Sequence, residues 1–439
     1  MTPLNVLDRI RLAASLAGRF PGLMRRQRWP RHCLETYQLH LLRCRLDEAR
    51  MSVPFYRRKD LPAGDRIRRL SDWAALPLLT KDELRDGPQS DHLSETFRRD
   101  ELIHSKSSGS TGQALDVYYD RESFYLFILA GLRLCWMAFA YRPWHRQTYI
   151  YTSPYPMDSL FGMYPMEFIP TLTPIAEALE RLRAQPPDLL TCYPSHLRAL
   201  VDQMTAEDFR KIRPRAVNVN SEMSSAVERK YLGDKLEAFV FDDYSSEELT
   251  RIASQCRHLS YHVFEDINYV EIVDGRGNPA PEGTVGNIVG TNLHNRAMPF
   301  LRYMQGDRGA IRSAGCPCGR TFRVLEKLEG RSNDAFTLAG GEQLSSGFLL
   351  DLTYAVFLDF DGAVSSFCLI QEVPETWILE LVPGSRWSPD LEQRIPRELE
   401  RKLARSDVRI ISRLVDQVTR TASGKANPII SRVKQAGGV

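Results

Sequence analysis

Six consecutive residues, Ser107-Ser108-Gly109-Ser110-Thr111-Gly112, combine hydroxyls with glycines in a way suited to surrounding phosphate oxygens. Two glycines let the backbone turn tightly and approach a ligand, while hydroxyl and amide groups supply donors. The run lies between strand-like residues 102–104 and 115–119. A P-loop would instead need Gly-Lys-Ser/Thr opening a helix, and neither is present. Taken alone, such a run is also an ordinary hairpin loop.

Four further groups lie downstream. Tyr244-Ser245-Ser246-Glu247 follows the apolar residues 238–241, so Glu247 falls near the carboxyl end of a strand, where α/β sheets place ligands. A carboxylate there suits Mg²⁺, which takes one or two carboxylates together with phosphate oxygens. Arg302-Tyr303-Met304-Gln305-Gly306-Asp307 puts an acid in a tight turn, suited to accept bonds from a ribose diol. Gly330-Arg331-Ser332-Asn333-Asp334 falls in the polar junction 329–341, and Thr421-Ala422-Ser423-Gly424-Lys425 sets a lysine on a C-terminal loop. Singly, each is a turn or a solvated charge.

A sixth constellation is of metal-ligand type. Cys316-Pro317-Cys318-Gly319 forms a turn that directs two thiolates toward one point, and Cys256 and His262 stand upstream. Three thiolates and an imidazole complete a closed tetrahedral zinc site, structural in kind because no coordination position stays open. His258 competes with His262 as the fourth ligand. The alternative is a buried apolar cysteine and a satisfied histidine.

These residues need elements to hold them. The chain has 439 residues, enough for two to three domains, and 43% hydrophobic with 26% charged residues is ordinary for a chain with a sizeable core. With a net charge of only +3, nothing argues for nucleic acid as the main partner, and none is expected. Arg19, Arg25, Arg26, Arg28 and Arg31 crowd the N-terminus, and a solvated basic face is preferred there to a membrane or anionic-partner patch. No apolar run reaches the roughly 18 residues of a transmembrane helix, and the short stretch at 12–17 is no signal peptide. The eight cysteines then read as reduced thiols or metal ligands, and the chain as cytoplasmic.

Residues 1–50 carry helical periodicity, and an exposed apolar face there could support a homodimer. Residues 121–141 read as a buried helix, and 217–220, 238–244, 269–273 and 286–291 as short strands alternating with helices. That alternation predicts an α/β domain. In the last hundred residues, a hairpin at 364–370 and 376–382, an amphipathic helix at 389–405 and a strand at 408–415 predict a small separate α+β unit.

Together, the identity, order and spacing of the motifs resemble the adenylate-forming superfamily, and within it the branch of phenylacetate–CoA ligase-like and capsular-polysaccharide-associated proteins. The resemblance begins at Ala49-Arg50-Met51-Ser52-Val53-Pro54-Phe55-Tyr56 and Leu76-Pro77-Leu78-Leu79-Thr80-Lys81-Asp82-Glu83-Leu84, continues through 292–307 and ends at Lys425. It implies a large N-terminal AMP-binding domain at 1–330, a hinge at 331–334 and a small mobile C-terminal domain at 335–439. It implies that Ser107–Gly112 holds the ATP phosphates, Glu247 binds Mg²⁺, Tyr244 flanks the adenine and acyl site, and Asp307 with Arg331 nearby holds the ribose. Lys425 would reach both the carboxylate and the α-phosphate. Members of the branch often have cysteine and histidine near 256, 262, 316 and 318, which favours zinc there.

Two positions depart from the pattern. Asn333 stands at the hinge pivot, where many relatives have Asp or Lys, and Ser245 stands where glycine is commoner after the tyrosine. Ser245 bears on acyl-pocket size more than on adenylation. The resemblance implies a small carboxylic acid as substrate and coenzyme A as acceptor. An amine, a hydroxyl or a carrier protein remains an alternative acceptor, and a non-catalytic nucleotide-binding module a third reading. The aromatic stretch 149–168 reads either as pocket lining for an aryl or short apolar acid or as ordinary core.

Overall fold

The computed structural model of the chain describes residues 4–107, 115–312, 315–331, 334–418 and 425–433. The chain is an α/β protein that divides into two units. The first comprises Met1–Trp144, Tyr155–Pro165 and Asp243–Leu328, and the second His145–Pro154, Met166–Asp242 and Glu329–Val439.

In the first unit, two long helices, Val6–Arg26 and Arg31–Ser52, are separated at Pro30. The Asn5 side chain accepts the Asp8 N–H at 2.9 Å, satisfying one of the free donors of the first turn. The second helix buries Leu34, Leu42, Leu46 and Ala49, a spacing of three, four and eight that keeps one stripe inward. The arginines near this hairpin correct the expectation of a uniformly solvated basic face. Arg26 and Arg31 reach the carboxylates of Asp266 and Glu265 at 3.0 and 2.7 Å, and both acids are fully buried. Arg25 and Arg28 remain exposed, and Arg19 pairs at the surface with Glu122.

The helix Arg121–Phe139 starts at Asp120, whose side chain accepts the Ser123 N–H at 3.0 Å. By length and composition it is apolar enough to cross a membrane, which the sequence reading had not expected of any segment, yet 72% of the qualifying window is buried inside the protein. About two-thirds of the way along it Arg133 is fully buried, with its guanidinium on Asp266 at 2.8 Å. It is the core helix expected from residues 121–141.

The strands of this unit carry the candidate site. Asn268–Val273, Gly286–Asn292 and Tyr303–Arg312 form an antiparallel meander. Thr250–Gln255 pairs antiparallel with both Phe239–Ser246 and Tyr261–Val263, and a bulge interrupts the first pairing at Tyr244 and Ser245. A separate two-stranded ribbon joins Ile103–Lys106 to Asp116–Tyr119.

The second unit contains the parallel strands Met166–Pro170, Gln147–Tyr151, Leu189–Cys192 and Ala216–Asn220, hydrogen-bonded in that order. Its helices Ile175–Ala184, Pro194–Gln203 and Ala226–Leu236 bury Leu179, Leu197 and Leu232 in a core with Ile150, Ile169, Leu190 and Val217. Parallel strands covered in this way read as continuous apolar runs. In the C-terminal part, Val364–Val373 and Thr376–Pro383 form the expected hairpin. Arg409–Leu414 runs parallel to the second strand, and the helix Leu391–Leu403 turns Ile395 and Leu399 onto the core of Trp377, Leu379 and Leu381. Ile429–Ser431, parallel to the first strand, and the helix Ser346–Phe357 complete this part beyond what the sequence pattern had indicated.

Candidate active site

In the first unit, Tyr244 and Asp307 meet directly. The Tyr244 hydroxyl donates to Asp307 Oδ2 at 2.6 Å, and the Gln305 amide donates to the same hydroxyl. Asp307 follows Gly306, which sits at φ +92°, a conformation that glycine adopts without steric cost. The bulge at Tyr244 and Ser245 lies at the strand end where the unusual serine stands.

Glu247, just beyond the strand Phe239–Ser246, is half-buried. The Tyr119 hydroxyl donates to its backbone carbonyl and lies 3.3 Å from its carboxylate. Burial raises the Tyr119 phenol well above its ordinary pKa, and the neighbouring charges of Glu247 and Glu248 raise it further. Tyr119 therefore stays a neutral donor at any physiological pH. Glu248 turns the other way, accepting the Tyr303 hydroxyl at 3.1 Å in the interior. Leu249 N–H bonds to Ser246 Oγ at 3.1 Å, closing the turn that presents Glu247.

The two N-terminal segments singled out in the sequence support this strand end. Leu79 donates its N–H to the Arg302 carbonyl and accepts that of Met304, each at 2.9 Å. Arg302 itself is buried at φ +48°. Its guanidinium donates to Glu271 at 3.1 Å and to the carbonyls of Ala74, Leu76 and Gly277 at 2.7, 2.5 and 3.2 Å. Tyr56 accepts the Leu301 N–H at 3.2 Å and donates to the Pro299 carbonyl at 3.0 Å. The segments around 49–56 and 76–84 thus hold the stretch that ends at Asp307.

Of the phosphate-loop residues, Ser107 is described. It donates its N–H to the Leu115 carbonyl and accepts the Leu115 N–H on its hydroxyl, both at 2.8 Å, so the loop's neck is closed. Ser108, Gly109, Ser110, Thr111 and Gly112 lie outside the described residues, as does Asn333.

Arg331 and Lys425 belong to the second unit, where Arg331 is half-buried at the end of the strand Val324–Arg331. Lys425 Nζ lies 5.5 Å from the centre of the Tyr193 ring, in cation–π range. Tyr193 in turn packs on Tyr151 at 4.6 Å, and Tyr151 stacks on Tyr149 at 4.5 Å. Tyr151 donates to Asn220 Oδ1 at 2.6 Å. Each of Tyr151, Tyr193 and Asn220 stands at or just after the carboxyl end of a parallel strand, the edge where such sheets bind ligands. Next to them Glu222 accepts the Ser195 hydroxyl and N–H at 3.0 and 3.1 Å and the Ala426 N–H at 2.6 Å. Sequence reasoning missed Tyr193 and Glu222. The one local signal was the acid at the end of a short apolar strand. A cavity of about 570 Å³ in this unit is lined by Ser195, Arg198, Glu222, Met223, Tyr354 and Ala426 among others.

The metal-ligand set also assembles in the first unit. One ligand atom from each of Cys256, His262, Cys316 and Cys318 lies within 4.8 Å of all the others, and all four residues are buried. Cys256 and Cys316 Sγ atoms are 3.6 Å apart, and Cys318 Sγ is 3.1 Å from His262 Nε2. His262 Nδ1 lies 3.2 Å from the Phe322 carbonyl, which fixes the proton on Nδ1 and turns a lone pair at Nε2 toward the sulfurs. The turn closes with Gly319 N–H on the Cys316 carbonyl at 3.2 Å. His258 is exposed and contributes its backbone N–H to Cys256 Sγ at 3.4 Å. With no ion present, burial lowers His262 to about 4 and raises Cys256 to about 11. Cys316 moves the other way, lowered against its burial by hydrogen bonds from the Cys318 backbone and from Ser260.

No protein-family profile matches the chain. It is 27% identical over 338 residues to a phenylacetate-coenzyme A ligase of Thermus thermophilus, covering 71% of this chain and 73% of that protein. A phenylacetate-coenzyme A ligase of Escherichia coli is also 27% identical, over 327 residues, covering 70% of this chain and 73% of that protein. Among solved structures, 2-hydroxyisobutyryl-CoA ligase in the postadenylation state superposes with a TM-score of 0.78 at 20% identity, over 93% of this chain and 91% of that one.

Proposed function

We propose that the chain is an adenylate-forming ligase that activates a carboxylic acid with ATP and passes the acyl group to coenzyme A, a reading supported by its similarity to phenylacetate-coenzyme A ligases and by its fold. In the first step a substrate carboxylate oxygen attacks the α-phosphorus, and pyrophosphate leaves. In the second the thiol sulfur attacks the acyl carbonyl carbon, its proton goes to solvent, and AMP leaves. The observation that carries the reading is the pairing of Tyr244 with Asp307 at 2.6 Å beside the turn that presents Glu247. Residues 63 apart in sequence meet there, which supports assigning them to one site.

Each residue then has a part. Tyr244 offers a ring to the adenine and acyl groups, and Asp307 with Arg331 takes the ribose hydroxyls. Ser107, Ser108, Gly109, Ser110, Thr111 and Gly112 surround the phosphates. Glu247 is the ligand for Mg²⁺, whose charge offsets that of the phosphates. The position of Glu247 is set by the turn and by the Tyr119 hydroxyl, which donates to its backbone carbonyl and lies 3.3 Å from its carboxylate. Lys425 delivers a positive charge to the oxygens on which charge builds as pyrophosphate departs. We assign 1–330 as the large domain, 331–334 as the hinge and 335–439 as the mobile small domain that carries Lys425.

We assign structural zinc to Cys256, His262, Cys316 and Cys318. The donor set fits: three sulfurs and an imidazole with its second nitrogen already engaged are what tetrahedral zinc takes. We propose a cytoplasmic setting, in which the eight cysteines would stay reduced.

Acid-dependent exchange of labelled pyrophosphate into ATP, without coenzyme A, tests the first step. A panel of aryl, hydroxy, fatty and amino acids is the substrate set. Exchange with one class identifies the acid, and exchange with none while ATP still binds refutes adenylation. Thioester formation on adding coenzyme A then tests the acceptor, with transfer to an amine as the competing outcome.

A further inference from the structure

Lys425 can act only if the backbone beside it is held in place, and the contact that holds it comes from a residue that no motif singled out in the sequence includes. The strand Ala216–Asn220 ends at Ser221, a non-glycine residue at φ +66°, a sparsely populated conformation for such a side chain. Tyr151 fixes that turn through its hydrogen bonds to Asn220 and Ser221. The turn sends the Glu222 carboxylate to two places at once. Its Oε2 takes the Ser195 N–H, and its Oε1 takes both the Ser195 hydroxyl and the Ala426 N–H. Ala426 is the residue next to Lys425, whose ammonium lies over the Tyr193 ring, two residues before Ser195.

We propose that Glu222 is a positioning residue for Lys425, docking the lysine by its own neighbour's amide onto the strand-end cluster of Tyr151, Tyr193 and Ser195. The inference rests on the adenylation role given to Lys425 above. A bond from an amide to a carboxylate is about twice as strong as one between neutral partners, so a single contact of 2.6 Å suffices to order the residue beside it. It is also a side-chain anchor. The strand pairing that begins at Ile429 holds the chain further on, through Leu369 and Ile370, and need not open when the Glu222 contact does. The lysine can therefore be released after the first half-reaction without dismantling the sheet. The described contacts of the Glu222 carboxylate go to Ser195 and Ala426, so its removal should lower turnover more than it weakens nucleotide binding.

The test uses the full chain and two readouts. Hydrogen exchange at the Ala426 amide is compared in wild type, Glu222→Ala and Glu222→Gln, together with kcat and KM for ATP in pyrophosphate exchange. Glu222→Ala is expected to speed Ala426 exchange and to lower kcat by about tenfold or more, with KM for ATP within about twofold. Glu222→Gln, whose amide oxygen still accepts one bond, is expected to fall between. Unchanged Ala426 exchange in Glu222→Ala, or a rise in KM for ATP with kcat retained, would overturn the proposal. If no acid supports exchange in the wild type, the adenylation reading fails, and the Ala426 comparison alone still decides whether Glu222 docks the lysine backbone.

Discussion

Asp266→Asn should loosen the whole first unit, although it lies in no catalytic motif. The Asp266 carboxylate accepts the Arg133 guanidinium at 2.8 Å on both oxygens and Arg26 Nε at 3.0 Å, and the side chains of Asp266 and Arg133 are fully buried. Arg133 lies over the Phe264 ring at 4.2 Å, and the side chain has no water-exposed route by which to neutralise itself. Removing one partner of a buried ion pair costs about 3–5 kcal/mol, because the other charge is left in a low-dielectric site. Asparagine keeps one acceptor oxygen, so the lower end, about 3 kcal/mol, applies. At about 1.4 kcal/mol per factor of ten, protection of the Arg121–Phe139 amides against hydrogen exchange should fall by roughly a hundredfold. Arg133→Met then removes the stranded charge and puts a thioether against Phe264, so the double variant should regain at least about 1 kcal/mol over Asp266→Asn alone. Protection falling less than about threefold in Asp266→Asn, or losses that simply add in the double variant, would refute the reasoning.

Three other outcomes are expected. Lys425→Ala should lower adenylation by roughly 10²–10³-fold while ATP binding persists, since its charge acts mainly in the transition state, and unchanged pyrophosphate exchange would refute the role. Elemental analysis should give about one zinc per chain, and chelation should expose the amides of residues 27–29 to exchange. Those residues meet the knuckle directly, through Thr321 Oγ1 on the Trp29 carbonyl at 2.6 Å and Arg320 Nε on Gln27 Oε1 at 2.8 Å, so intact protection after zinc loss would separate the two. His294 is half-buried with its Nε2 2.8 Å from the Asp266 carbonyl, and loss of solvent around the ring depresses its pKa to about 4. The unfolded chain takes up that proton first, so its contribution is complete above about pH 6.5 and is lost toward pH 4, up to about 3 kcal/mol. His294→Gln should flatten urea midpoints over that range, and an unchanged slope would exclude the group.

Which parts of this were legible in the sequence follows from how far apart the partners stand. The β-rich stretches near 217, 239, 269 and 286 and the hairpin at 364–382 announce themselves through local alternation, and the structure forms strands at each. The helix at 121–139 was legible as buried because it is apolar on every side, although the same composition passes for a membrane span. Its interior Arg133 gives no local clue, because the answering carboxylate is 133 residues away. The same holds for Arg26 and Arg31, whose partners are 240 and 234 residues distant, and which as a string look like a solvated basic face. The cysteine set was easier, because a tight pair at 316 and 318 advertises a ligand turn whatever completes it.

Glu265 and Asp266 explain why those separate misreadings share one cause. Adjacent in sequence and both fully buried, they take Arg31 and Arg323 on one carboxylate and Arg26 and Arg133 on the other. They stand three and four residues after His262, so the loop leaving the candidate metal site leads directly into this ion-pair cluster. Gln38 also donates to the Glu265 carbonyl at 2.8 Å, and Glu265 is held well ionised by Arg323 and Arg31 against the burial that would neutralise it. The N-terminal helices, the core helix and the cysteine knuckle therefore converge on one acidic pair. Arg26 and Arg31, which look like surface charge in a linear reading, join Arg133 and Arg323 in fixing an apolar helix and a basic hairpin around it.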